Sequence, residues 1–171
     1  MESKTPVGDR HEQAESRMVR SAPTAGRAAI LIGLYEIAGG AAGLTLMLWL
    51  QLQSPDSLPG GLLLSIAPFC LVLGAGLKLV RRERGGVILS YLAQLAQCVF
   101  FAINGVVWRF CAGLYLSIWT VNERTNAYAG LDATLLVGRN ADEPQAFGVN
   151  LVPLAVIAIL AFASRRTKRV V

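Results

Sequence analysis

The sequence predicts an all-α integral membrane protein: a four-transmembrane-helix bundle, N-in/C-in, with a small extracytoplasmic β-hairpin-like loop between helices 3 and 4. Three observations predict it. Only 16% of the 171 residues are charged and 54% are hydrophobic, against about 25% charged in an ordinary soluble domain. The apolar residues fall in long blocks, the distribution that a bilayer imposes. Thirteen of the 16 Lys and Arg residues lie in three short places beside those blocks.

Residues 1–27 are polar, with four acids, five Lys/Arg and no apolar period, and read as a flexible cytoplasmic tail containing the single histidine, His11. Residues 28–50 form the first span, about 35 Å long as a helix and interrupted by one charge, Glu36. The run is too long, and too far from the N-terminus, for a cleaved signal peptide. Trp49 at its outer end suits the membrane–water interface. Residues 51–60 are a turn with two prolines. The second span, 61–80, holds Pro68, where a kink is expected, and Lys78, which can snorkel.

A basic loop, 81–84, leads into the third span, 85–108. Residues 109–146 carry two imperfectly alternating segments around "NERTN" and read as a β-hairpin outside the membrane. The alternative is a third helix running on through Ile118, which would put Arg109 at membrane depth. The fourth span, 147–163, is short, and 164–171 is a basic tail. Lys and Arg concentrate in the N-terminal tail, around the middle loop and at the C-terminus, which gives the N-in/C-in orientation.

The net charge of +5 follows that flanking pattern and not one folded basic face, so nucleic acid is not an expected partner. The three cysteines make no CxxC and have no His beside them, so neither a zinc site nor a disulfide framework is expected. No Ser/His/Asp set, HExxH, phosphate-cradling loop or paired carboxylates occur, so neither an enzyme nor a cofactor site is expected.

Glu36 is the residue most expensive to place. An acid near the bilayer centre costs on the order of 3 kcal/mol by insertion scales, so it is expected to face a neighbouring helix and to be protonated. Gly39, Gly40 and Gly43 follow on the same helical face and allow a close helix contact. Ser90, Gln94, Gln97 and Asn104 form a polar stripe on the third span, with Gln94 at the depth of Glu36. Two readings compete: interhelical glue around a neutral Glu36, or a proton or cation site lining a path.

The segment "GLYEIAGG" (33–40) resembles the small multidrug resistance transporters, four-helix exporters with one membrane-embedded Glu in the first helix. The resemblance implies proton-coupled export with Glu36 as the coupling residue; the remaining spans do not match it. The leading expectation is a structural or interaction protein of a bacterial inner membrane, presenting 109–146 to a membrane or periplasmic partner, with a homo-oligomer left open. A small proton-linked transporter centred on Glu36 is the alternative.

Overall fold

The computed structural model describes residues 8–53, 59–83, 85–139 and 144–168. In chain order it contains α1 (Gly8–Gln53), α2 (Pro59–Val80), α3 (Gly86–Cys98), β1 (Val99–Ile103), β2 (Val106–Val121), β3 (Arg124–Arg139), β4 (Ala146–Asn150) and α4 (Leu151–Lys168). This corrects the all-α four-transmembrane bundle. Among the described residues one stretch, Gly26–Gln53 of α1, is long and apolar enough to cross a membrane. Among the residues described with their side chains, the apolar stretches of the others are Ser65–Val80, Gly86–Cys98 and Leu151–Arg165. The 13 residues of α3 reach about 20 Å, well short of a ~30 Å hydrocarbon core. The N-in/C-in orientation presupposed four crossings and falls with them.

The element boundaries move for local reasons. The segment read as a tail is helical from Gly8, through residues rich in the helix formers Glu, Arg, Gln and Ala; residues 1–7 lie outside the described chain. So do residues 54–58 of the outer turn. Pro68 sits inside an otherwise continuous α2. The third helix stops ten residues early because Val99, Phe100 and Phe101 continue as a strand, where β-branched and aromatic side chains pack well. The fourth begins at Leu151, after a strand, and not at Phe147.

The helices α1 and α2 are antiparallel and close. Gly33 lies against the backbone of Gly76, Gly40 against Leu73 and Gly43 against the ring of Phe69, so an added methyl would collide at each. Phe69, Val72, Ala75, Ala93, Phe110 and Ala112 form the main core, in which α2, α3 and β2 meet. Ile32, Leu79, Val156 and Leu160 pack α4 onto α1 and α2.

The sheet is antiparallel throughout. Asn104 and Gly105 (φ 52° and 76°) make the two-residue turn between β1 and β2, where left-handed backbone matches the twist of the strands. Asn122 and Glu123 (φ 45° and 69°) do the same between β2 and β3, which pair over their whole lengths from Val106↔Arg139 to Val121↔Arg124. The strand β1 pairs with both β2 and β4, and β4 also pairs with the far end of β2 through Ser117–Val121. Three straight strands cannot close a ring in which every pair is antiparallel. So β2 must reverse its sense between Trp108, its last partner on β1, and Ser117, its first on β4. Gly113 stands in that interval with φ +118° and carries the bend.

Over the bend β2 keeps β3 on one edge and has no strand on the other. Residues 112, 114 and 116 turn their peptide groups to that open edge, and side chains take the place of the missing strand. The Ala112 N–H donates to Gln97 Oε1 at 2.8 Å. The Tyr35 hydroxyl donates to the Leu114 carbonyl at 3.3 Å, and the Leu116 N–H donates to Asn150 Oδ1 at 3.1 Å. Buried backbone groups need such partners, since an orphan costs about 1–3 kcal/mol. Asn150 Oδ1 also accepts from the Val152 N–H at 3.2 Å and so caps α4.

Two substitutions test the bend. Gly113→Val places a Cβ about 2.9 Å from the Tyr35 ring at a φ that β-branched residues avoid. It is expected to lower the unfolding free energy by more than about 2 kcal/mol. Gln97→Leu, which orphans the Ala112 N–H, should cost about 1–3 kcal/mol. Denaturant unfolding in detergent measures both, and unchanged midpoints would refute the bend's role.

Candidate functional site

The polar residues of the helices gather around Glu36. Its Oε1 accepts a hydrogen bond from the Ser90 hydroxyl and another from Gln94 Nε2, the latter at 2.8 Å. Glu36, Ser90 and Gln94 are all 0% exposed. The Glu36–Gln94 bond is a direct contact between α1 and α3, although the two residues stand at different distances from the ends of these helices. Two buried oxygens in this cluster, Glu36 Oε2 and Gln94 Oε1, have no hydrogen-bond partner. Among the described residues the salt bridges are Arg81–Glu83 and Arg109–Asp132, and neither involves Glu36.

The rest of the stripe has other work. Gln97, one helical turn beyond Gln94 and buried, donates to the Ala93 carbonyl at 3.2 Å and accepts from Ala112. Asn104 is far from the cluster in the β1–β2 turn, so its place in a continuous helical stripe is corrected. The "NG" pair flanked by apolar residues was the signal that marked it as a hairpin turn. Gly39, Gly40 and Gly43 face different neighbours. Gly40 and Gly43 meet α2, while Gly39 lies against the Ala112 carbonyl on β2.

Sequence reasoning passed over a second polar region, inside the curled sheet. From β2, Arg109, Cys111, Tyr115, Ser117 and Trp119, with the even-numbered Phe110, line a cavity of about 220 Å³ together with Gln97 and Asn150. The even-numbered Leu114, Leu116 and Ile118 are exposed on the outer face. Among the cavity's walls Arg109 is neutralised by Asp132, its Nη2 lying 3.1 Å from the Asp132 carboxylate. Glu36, Ser90 and Gln94 do not line this cavity; Gln97 is the one stripe residue that reaches it.

Cys111 is the one thiol on the cavity wall. Burial pushes its thiol up to about 12, Asp132 adds to the rise, and Arg109 opposes it. At neutral pH it is therefore a thiol and not a reactive thiolate. Among the described residues no group of three or more His, Cys, Asp or Glu side chains is placed to hold a metal ion. No family model, curated protein or solved structure matches the chain. The likeness of residues 33–40 to the small multidrug resistance transporters therefore rests on that octapeptide alone.

Of the three free cysteines, Cys70 is exposed while Cys98 and Cys111 are buried. A thiol-specific disulfide reagent at pH 8 should titrate one thiol per native chain and three after denaturation. Rapid loss of all three native thiols would contradict this burial.

Proposed function

We propose that the chain is an integral membrane protein with a structural or binding role, held in the bilayer by α1, with the curled sheet as its working part. Support for the membrane comes from the outward faces of the helices. On α1, Leu31 is 67% exposed, and Leu34, Leu48, Trp49 and Leu52 are exposed beside it. Ile88, Leu92 and Leu95 continue this apolar surface on α3, as Leu154, Ile159 and Phe162 do on α4. An apolar surface this extensive needs a cover, and lipid supplies one on every side at once. Arg82 lies beside Gly26 at the start of the spanning stretch, where a guanidinium can reach phosphate head groups.

In this reading Glu36 is a lock between α1 and α3, and the observation that carries it is the complete burial of its carboxyl away from the cavity. A carboxylic acid and a primary amide complete each other edge to edge. The amide N–H donates to one acid oxygen, and the acid O–H donates to the amide carbonyl. The first of these bonds is the one from Gln94. A proton on Oε2 supplies the donor that Gln94 Oε1 lacks, so a neutral Glu36 accounts for both orphan oxygens. Transport through Glu36 would require the carboxyl to meet water or a substrate path.

Glu36→Gln keeps two-point pairing and should hold stability within about 1 kcal/mol, while Glu36→Leu strands the Ser90 hydroxyl and Gln94 amide and should cost about 2–4 kcal/mol. Thermal unfolding in detergent compares them. Proton-driven solute uptake into proteoliposomes, present in the native chain and abolished by Glu36→Gln, would overturn the lock. Membrane fractions washed with alkaline carbonate should retain the protein, and its release without detergent would overturn the bilayer assignment.

A further inference from the structure

The register that closes the strand ring sorts the inner face of the sheet into rows, and two neighbouring rows differ in kind. One is aromatic. Gly148 is the cross-strand partner of both Phe100 and Trp119, and the space of its missing side chain is filled by the Phe100 ring. Trp119 packs edge-on against Phe100 (centroids 5.7 Å apart, 68° between planes) and against Tyr128 (5.6 Å, 79°). The other row is polar. Two residues back along β2, Ser117 is the partner of both Tyr128 on β3 and Asn150 on β4. Residues directly opposite on antiparallel strands share a face, so a phenol, a hydroxyl and an amide stand abreast, and all three line the cavity. Two residues of strand cover about 7 Å, so one small ring can lie across both rows.

The polar row has hydrogen-bonding groups that the protein does not use. Asn150 is 3% exposed and Ser117 9%. Asn150 Oδ1 accepts from the Leu116 and Val152 N–H groups, which leaves its Nδ2 without a partner among the described residues, and the Ser117 hydroxyl has none there either. Both atoms open onto the cavity, unlike Trp119 Nε1, which is sealed inside the wall. The Arg109 guanidinium is held by Asp132, so the wall calls for no charged ligand. The rings meet at steep angles and form no parallel slot for a flat aromatic guest. They offer contact to C–H groups from several sides instead. The cavity of about 220 Å³ would hold about seven waters at roughly 30 Å³ each, or one hexose.

We propose that this cavity binds a neutral sugar ring of monosaccharide size. Such a ring is puckered, apolar on its C–H faces and polar around its rim, the same division as the two rows. The C–H faces meet Phe100, Trp119 and Tyr128. The hydroxyls accept from Asn150 Nδ2 and both give and take hydrogen bonds with Ser117 Oγ. This gives a ligand class to the sheet proposed above as the working part, and it does not need α1 to cross a bilayer. No covalent step is involved.

The probes are tritiated D-glucose, D-galactose and D-mannose. Equilibrium dialysis is run against the full chain in a detergent with no sugar head group, with empty micelles as reference. At least one of the three should bind saturably, one molecule per chain. The uronic acid of that sugar, which differs by a carboxylate, should bind more weakly. Ser117→Ala removes one hydroxyl from the polar row and should weaken the sugar by about two- to tenfold, the worth of one hydrogen bond. Asn150→Asp keeps the Oδ1 acceptor, removes the Nδ2 donor and should weaken it by at least as much. Ser117→Leu fills the cavity and should abolish binding, with circular dichroism confirming that each variant is folded. Uptake of all three sugars no greater than that of empty micelles would overturn the proposal. So would tighter binding of the uronic acid, or equal affinity of the native chain and a folded Ser117→Leu variant. If Ser117→Leu does not fold, equal affinity of the native chain and Ser117→Ala overturns it instead. A failure of sugar binding leaves the carbonate-wash result standing, and release by carbonate leaves sugar binding standing.

Discussion

Three peptide groups on the open edge of β2 decide the architecture. Where β2 has left β1 and not yet reached β4, the Ala112 N–H, the Leu114 carbonyl and the Leu116 N–H have no strand to pair with. Gln97, Tyr35 and Asn150 answer them from α3, α1 and the end of β4. Without Gln97 the buried Ala112 N–H would be an orphan costing on the order of 1–3 kcal/mol, while the Leu114 and Leu116 groups lie nearer solvent. The strand turns over where side chains from α1, α3 and β4 stand in for the missing neighbour.

One helical turn of α1 ties the two halves of the molecule together. Tyr35 holds the bend, Glu36 holds α3 through Ser90 and Gln94, and Gly39 lets the Ala112 backbone lie directly on the helix. Because α3 is fixed at Gln94, Gln97 is delivered one turn further along, opposite Ala112. The polar cluster thus sets the position of the sheet as well as the spacing of the helices. That makes Glu36 costly to replace by an apolar residue even if nothing passes through it.

The parts legible in the sequence were those governed by depth and by cost. Glu36 had to be buried against a polar neighbour, and Gln94, about as far from the edge of its expected span, was the partner at hand. The glycines beside Glu36 had to mark close approach, although Gly39 meets a strand and not a helix. The path of the chain after Cys98 was not legible, because Val99–Ile103 is as apolar as a membrane helix and carries no break. The Asn104–Gly105 pair was the local signal for the turn, hidden because Asn104 also fell on a helical period. The cavity was illegible for a different reason. It exists only once β2 reverses, and a reversal that depends on three distant side chains leaves no mark in local patterning.

Asn150 also orders events in time. The β2–β3 ribbon can zip from its own two-residue turn, a fast local process. The β1–β4 ladder instead joins residues as far apart as Val99 and Val149 and must wait for the C-terminal segment. A single oxygen, Asn150 Oδ1, accepts both from Leu116 on the curled ribbon and from Val152 in the first turn of α4. The last helix and the curled ribbon thus share one acceptor, which arrives only with the C-terminal segment. A nascent chain lacking residues after 145 would hold an open ribbon with its aromatic interior exposed.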